Sequence, residues 1–400
     1  MCSKIFFALA VGLFATFGSD ATTVYPIGTS PTDAAAVQAA VNSGGTVVLK
    51  AVNAAGIPTA FNFGANDEVH ITTDVTIVGE TSKAGMTTIE GGRRAIFSPQ
   101  TVFPLPKIEV RGIHFDNPIA AIFIGSTSGA LITDNLITNF VQTAVVIQNF
   151  GNPSAISGVV TISDNVIDTG VDPFADGIAI LPASATVEVT GNSVRNVADI
   201  GIVGVDVVGP LSISGNFVAP GFVTDLNLGT GILVFPEFAS DAPLLVDHNV
   251  VNCTDPGAEG IDVFAGRPTA IIHNQVSMQS SLGISLIGNA SGAYVGQNRV
   301  DGSVSAALAI LDIGQGDAVG NALVGNNVTG AQASVADVFL DQNTRETVVT
   351  GSGGATVLDL GTNNHITGVG TVGHANIGQG IKNALATKRA VIDALRSKYE

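Results

Sequence analysis

Carboxylates are the side chains best placed to do chemistry in this chain. They gather between residues 168 and 267 as Asp168, Asp172, Asp176, Asp199, Asp225, Asp255, Glu259 and Asp262, with Arg267 close behind. Two acids about 5–10 Å apart would serve glycosidic hydrolysis. A basic side chain beside carboxylates that hold Ca²⁺ would serve a lyase. The densest group is Asp255, Glu259, Asp262 and Arg267. It reads either as a Ca²⁺ or sugar site, with Arg267 facing an acid or a substrate carboxylate, or as a solvated acidic loop. Asp262, Glu259 and Arg267 are therefore the catalytic candidates. Asp172, Asp176, Asp199 and Asp255 are the candidates for holding substrate. No metal ligand set is assigned, and Ca²⁺ is the one cofactor these acids suggest. The histidines, His70, His114, His248, His273, His365 and His374, show no metal-ligand spacing.

The elements that must position these groups form a repeat. The phrase apolar-x-apolar, two small or polar residues ending in Asn, x, apolar recurs from residue 130. Examples are LITDNLI (131–137), VTISDNVI (160–167), VEVTGNSV (187–194) and LSISGNFV (211–218). Its marker asparagines are Asn135, Asn165, Asn192, Asn216, Asn249, Asn274, Asn298 and Asn326, spaced by 30, 27, 24, 33, 25, 24 and 28 residues. A second phrase, small-apolar-x-apolar, lies between copies, as GIAI (177–180), GILV (231–234) and GIDV (260–263). One such unit cannot bury its apolar face alone, whereas stacked units share a core. The pattern predicts a solenoid of about eleven coils, each with three short strands, and at ~4.8 Å per coil a rod roughly 50 Å long. Asn is expected at a corner because it tolerates the left-handed backbone region, and stacked Asn side chains can hydrogen-bond to each other. His248 and His273 stand next to corner asparagines one coil apart, so they are expected to stack. Asp176 and Glu259 share a repeat position three coils apart, about 14 Å at that spacing, too far for a direct pair.

Composition agrees. There are 48 Gly, no Trp and only 12% charged residues, with a net charge of −17. That charge argues against nucleic acid and anionic membranes, and against anionic polysaccharides unless a cation bridges them. Residues 1–21 read as a signal peptide, with Lys4, an apolar run from Ile5 to Phe17, and small Ser19 and Ala21 at the cleavage positions. Secretion or display at the cell surface would follow. The run is too short to span a bilayer. Loss of Cys2 would leave Cys253 alone, without a disulfide. Asn252, Asn289 and Asn327 head glycosylation sequons.

Both ends read as helical caps on a domain spanning residues 22–375. Ala34–Val41 predicts a short helix over the first coil, with Ser30 or Thr32 as N-cap and Gly44 just past its end. Residues 376–400 carry five of the 16 basic residues and an apolar stripe of Ile377, Ile381, Leu385, Ile392, Leu395 and Tyr399. That predicts an amphipathic helix, either capping the last coil or docking a partner.

Together, AVQAAVNSGGTVVLKA (36–51), VTIVGE (75–80), GIHFDN (112–117) and the repeated phrases resemble the pectin-lyase-like superfamily of right-handed parallel β-helices. The resemblance implies an all-β single-stranded β-helix. For function it implies association with an extracellular polysaccharide, by binding or by lyase- or hydrolase-like chemistry. The alternative is a non-catalytic structural or adhesive surface protein, since such rods host both. It also implies that substrate lies along the outward face of the GI-x-apolar strands. One outward set would run from Ala144 through Gly177, Gly201, Gly231, Gly260 and Gly283 to Ala307. A second would run from Val146 through Ala179, Val203, Leu233, Asp262 and Ser285 to Ala309. These columns hold one acid and no base. VDPFADG (171–177) resembles the Asp-Pro-x-Asp stretch of alginate epimerases, with one residue too many and no histidine.

Overall fold

Alternation of apolar and polar residues in five-residue runs, punctuated by Asn, Asp and Gly, dictates short strands and tight corners. The computed structural model has that form. It describes residues 21–371 except 84, 222–228, 236–239, 254–256, 265, 279–280, 303–304, 312–315, 330–335, 352–354 and 369. The chain winds through three long parallel sheets, visiting each once per coil. Sheet 1 begins at Thr22–Val24 and Gly45–Leu49 and includes Gly129–Thr133 and Leu211–Ser214. Sheet 2 follows the Asn corner and includes Leu136–Phe140 and Phe217–Ala219. Sheet 3 carries the GI-x-apolar phrase, running from Glu68–His70 and Arg94–Ser98 through Ala120–Ile124, Asp176–Ile180 and Glu259–Phe264. The expected all-β solenoid is present. Residues 1–20 and the proposed helix at 376–400 lie outside the described residues, as do Asp225 and Asp255.

The core is three columns of aliphatic side chains meeting inside the coil. Ile132, Ile162, Val189 and Ile213 come from sheet 1, Ile137, Ile167, Val194 and Val218 from sheet 2, and Val145, Ile178, Ile202 and Ile232 from sheet 3, all without exposure. Each such side chain contributes about 1.5–3 kcal/mol by leaving water.

The asparagines form one continuous ladder. Each of the eight is at most 2% exposed. Asn135 Nδ2 donates to Asn165 Oδ1 at 3.0 Å, Asn165 to Asn192 at 2.9 Å, Asn192 to Asn216 at 3.0 Å, and so on to Asn326. Each main-chain N–H, from Asn135 to Asn298, donates to the same oxygen as its Nδ2. The left-handed residue is not the asparagine but the one before it: Asp134, Asp164, Gly191, Gly215, His248, His273, Gln297 and Gly325, with φ between 53° and 68°. Asn is selected for its buried amide, and its neighbour for the turn.

The GI phrase also has a packing cause. A methyl group at Gly177, Gly201, Gly231, Gly260 or Gly283 would overlap Cγ1 of Val194, Val218, Val251, Val276 or Val300 in sheet 2, and the main-chain oxygen of the next coil. These glycines therefore face the core, where strand and neighbouring sheet meet too closely for a side chain. The expected first outward column is an inward one.

An α-helix, Thr32–Asn42, covers the open N-terminal edge. Its buried Ala34, Val37, Ala40 and Val41 lie over the first coil, against Phe61–Phe63 and Glu68–His70. Neither expected N-cap is used: Pro31 holds that position, and Ser30 Oγ instead donates to Asp67 at 2.7 Å. Gly44 ends the helix as expected, with φ 69°. Fully buried Asp33 fixes the approach by accepting the N–H groups of Ile27, Gly28, Thr29 and Asn62 at 2.7–3.1 Å. Among the described residues, no helix is long and apolar enough to cross a membrane.

Candidate functional site

Sheet 3 is expected to present its outward face to substrate, and over most of its length it does not. Val146, Ala179, Val203, Leu233 and Ala309 join Ile200, Phe235, Phe264, Leu282, Phe339 and Leu358 in a second apolar cluster on the outside of the solenoid. Strands such as Thr230–Phe235 and Glu259–Phe264 are buried on both faces.

The predicted acids sit in or beside this covered face. Asp262 is 1% exposed and accepts a hydrogen bond from Ser285 Oγ. Glu259 is buried, its Oε1 accepting from Ser281 Oγ at 3.4 Å and its carbonyl from Cys253 Sγ at 3.1 Å. Asp176 is buried and accepts the Ile200 N–H at 3.2 Å. Asp199 is buried at the strand entrance. The pairing Asp176 to Ile200, Ile200 to Thr230 and Thr230 to Glu259 sets the two acids three coils apart, as the repeat predicts. Asp172 is half-buried in the loop before Asp176 and closes a local turn by accepting the Phe174 N–H at 2.8 Å. Asp168 is on sheet 2, away from the sheet 3 face, and accepts from Asn196 Nδ2 at 2.7 Å.

Arg267 departs most sharply from what its sequence neighbours suggest. Its guanidinium faces no acid among the described residues. It donates to the main-chain oxygens of Val207 (2.7 Å), Gly209 (2.6 Å), Ala242 (2.8 Å) and Pro243 (3.0 Å). Burial pulls its pKa down to about 10, still cationic at neutral pH, and the four carbonyl dipoles favour that charge. Arg267 clamps earlier coils together. With Asp262 buried as well, the expected solvent-facing Ca²⁺ or sugar site at Asp262, Glu259 and Arg267 does not form.

Among the described residues, the same strand column reaches solvent near its N-terminal end, through His70, Arg94 and Phe123, with Phe97 nearly buried between them. There the outward positions are Glu68 and Arg94 in one row, and His70, Phe97 and Phe123 in the next, on successive coils. Arg94 grips Glu68 with Nε–Oε1 2.6 Å and Nη2–Oε2 3.1 Å. Its guanidinium carbon lies 3.6 Å from the Phe97 ring centroid and 5.4 Å from that of Phe123. His70 meets Phe97 edge-to-face at 5.1 Å, and its Nε2 is 3.2 Å from Glu68 Oε2. Phe97 and Phe123 are also edge-to-face, at 5.5 Å. The His70 side chain is 48% exposed, that of Arg94 27% and that of Glu68 11%. The result is an aromatic strip with one anchored ion pair and one accessible imidazole. Over residues 50–111, whose strands fall on all three sheets, six basic residues (Lys50, Lys83, Arg93, Arg94, Lys107, Arg111) balance six acids (Asp67, Glu68, Asp74, Glu80, Glu90, Glu109), in a chain of net charge −17.

Residues 65–218 match the family model described as right handed beta helix region. The chain is a right-handed parallel β-helix. Among solved structures, this β-helix is similar to a DFA-IIIase variant from Arthrobacter chlorophenolicus A6, at 12% identity, covering 89% of this chain and 100% of that one, with a TM-score of 0.53. It is also similar to the A-module of a mannuronan C-5 epimerase from Azotobacter vinelandii (13% identity, 79% and 95% covered, TM-score 0.49) and to an alginate lyase from Paenibacillus sp. FPU-7 (14%, 89% and 99%, TM-score 0.33). No curated protein matches the chain. Likeness at this identity concerns the fold.

Sequence reasoning centred on acids misses Glu68, His70, Arg94, Phe97 and Phe123. A usable signal exists: EVH (68–70) and RAIF (94–97) precede the regular Asn repeat and carry aromatic and cationic residues at adjacent outward positions. Without the strand pairing, their shared column could not be read.

Proposed function

We propose that this β-helix binds an extracellular polysaccharide along the open N-terminal end of sheet 3. The observation that carries this reading is the strip His70–Phe97–Phe123 flanked by the Arg94–Glu68 pair. Aromatic faces and edges suit the C–H faces of sugar rings, and a planar guanidinium–carboxylate pair offers fixed partners for hydroxyls. Charge balance over the first coils lessens the repulsion that the rest of this acidic chain would impose on an anionic glycan. Binding is favoured over hydrolysis, because Glu68 is the single acid of the strip and hydrolysis needs two. A lyase-like reading has one specific support: His70 is exposed and held by Glu68, the arrangement of an oriented general base. Secretion is part of the proposal. It rests on the leader pattern of residues 1–21 and is checked by N-terminal sequencing of the exported protein.

The test is calorimetric titration with neutral and uronate polysaccharides, with and without Ca²⁺, while unsaturated sugar ends are monitored. Phe123→Ala and His70→Ala should each weaken binding roughly tenfold, because removing one aromatic ring from a stacked sugar costs about 1–1.5 kcal/mol. Phe217→Ala, whose ring stacks under Arg195 on sheet 2, should bind as the parent does. No binding to any glycan, or equal binding by all three variants, would overturn the proposal. Unsaturated ends formed by the parent and lost in His70→Ala would establish the lyase reading.

A further inference from the structure

A different face of the rod carries a second constellation. At the corner between sheets 1 and 2, Asp247 and His248 on one coil meet His273 on the next. Asp247 Oδ1 lies 2.6 Å from His248 Nδ1 and 3.1 Å from His273 Nδ1. One ligand atom from each of the three lies within 4.8 Å of the others, the one such group of His, Cys, Asp and Glu among the described residues. The imidazoles stack with centroids 4.6 Å apart and planes tilted 32°. From the following coil, Gln297 places its Oε1 2.5 Å from His273 Nε2.

The hydrogen-bond chemistry of His273 is unusual. Both its ring nitrogens face oxygen acceptors, Asp247 Oδ1 and Gln297 Oε1. A neutral imidazole has one N–H and one lone pair. If Nε2 donates to Gln297, the Nδ1 lone pair points at a carboxylate oxygen, an arrangement that either a shared proton or a bound cation makes favourable. His248 Nδ1 converges on the same oxygen. The backbone supplies a second, independent sign. His248 and His273 both occupy the left-handed corner position, with φ 53° and 55°. Gly, Asp or Gln fills that position at Asp134, Asp164, Gly191, Gly215, Gln297 and Gly325. Two consecutive imidazoles there bear a backbone cost that Gly would avoid.

We infer that Asp247, His248 and His273 form a binding site for a borderline divalent transition metal such as Zn²⁺, with Ni²⁺ and Cu²⁺ as alternative occupants. Imidazole nitrogen suits Zn²⁺, Ni²⁺ and Cu²⁺ and disfavours Ca²⁺ and Mg²⁺. With arms of ~2.1 Å at a tetrahedral angle the ligand atoms stand about 3.4 Å apart, so Asp247 and His248 need part by less than 1 Å. Both are surface side chains free to do so: the His248 side chain is 65% exposed and that of Asp247 22%. Three protein ligands leave a position open to solvent, and Gln297 on Nε2 fixes the ring that presents Nδ1 to the metal, as an outer partner does in histidine sites.

The experiment uses full-length, tag-free protein, stripped with chelator and titrated with Zn²⁺, then Ni²⁺, by calorimetry. The expected result is one saturable site of micromolar affinity for each and no comparable heat from Ca²⁺. His248→Asn with His273→Asn should abolish binding while the rod stays folded, since Asn tolerates the left-handed corner. Asp247→Asn should weaken it by roughly tenfold or more, the scale of a disrupted metal-site partner. Gln297→Leu should lower affinity without changing stoichiometry. No saturable Zn²⁺ or Ni²⁺ binding, or binding unchanged in the double variant, overturns the assignment. If the double variant unfolds, Asp247→Asn decides: unchanged affinity there also refutes it.

Discussion

Asn216→Ala would cut the asparagine ladder in its middle. Asn216 is 1% exposed. Its Nδ2 donates to Val189 O (2.9 Å) and Asn249 Oδ1 (3.0 Å), and its Oδ1 accepts from both the main-chain N (2.9 Å) and Nδ2 (3.0 Å) of Asn192. Alanine leaves the main-chain N–H of Asn192 buried without its acceptor, while Asn192 Nδ2 keeps Ile162 O (2.8 Å) and Thr190 O (3.2 Å). For one orphaned group the loss is about 1–3 kcal/mol. Solenoids can unfold by parts, so one melting temperature is an unsafe measure. Urea denaturation followed by circular dichroism should therefore be paired with hydrogen exchange of the peptide holding Asn192. The expected outcome is a lower midpoint and fast exchange at Asn192, with the first coils still protected. Ser193→Ala, next to the ladder but on the outer face, should change stability by less than about 0.5 kcal/mol. A ladder variant within about 1 kcal/mol of the parent, with Asn192 still protected, would refute a structural role for the ladder.

Two further outcomes follow from buried cations and imidazoles. Arg267→Met should destabilise the fold by about 2–4 kcal/mol, since charge-assisted bonds to the buried carbonyls of Val207 and Gly209 are lost, and should leave glycan binding at the sheet 3 strip unchanged; a urea midpoint equal to the parent's would contradict the clamp. His114 sits half-buried on sheet 2, its Nε2 2.9 Å from Thr138 Oγ1. Burial lowers its pKa below 6.5, with Asp116 and Glu90 pulling the other way. The unfolded chain then binds a proton first, so stability should fall as pH drops through 6.5 toward the folded value. His114→Gln should flatten that part of the stability–pH curve, and an unchanged slope between pH 7.5 and 5.5 would exclude His114 as its source.

The solenoid was legible from residues alone because its constraints are local and repeated. Alternation defines each short strand, and a buried amide at each corner forces Asn back at every coil. The same regularity placed Asp176 and Glu259 at one position three coils apart. It also put His248 beside His273, although nothing in their spacing showed that Asp247 meets the Nδ1 atoms of both. Strand alternation failed at Gly177 and its equivalents. There two successive residues, Gly177 and Ile178, face inward, which only the approach of Val194 from another sheet reveals. Exposure was the larger decision left to tertiary structure. Period-two patterning says which residues point away from the solenoid axis. It does not say whether that outward face meets water. Asp262 points outward and is buried, in a second apolar layer built from residues far apart in the chain. Arg267, which charge alone pairs with an acid, instead finds four carbonyls that the coil stacking brings within reach. The open strip of Glu68, His70, Arg94, Phe97 and Phe123 exists for the same reason. Its members share a face only because three coils stack in one register; Phe97 is nearly buried and Phe123 packs against the edge of the apolar layer, while His70 stays the most exposed of them.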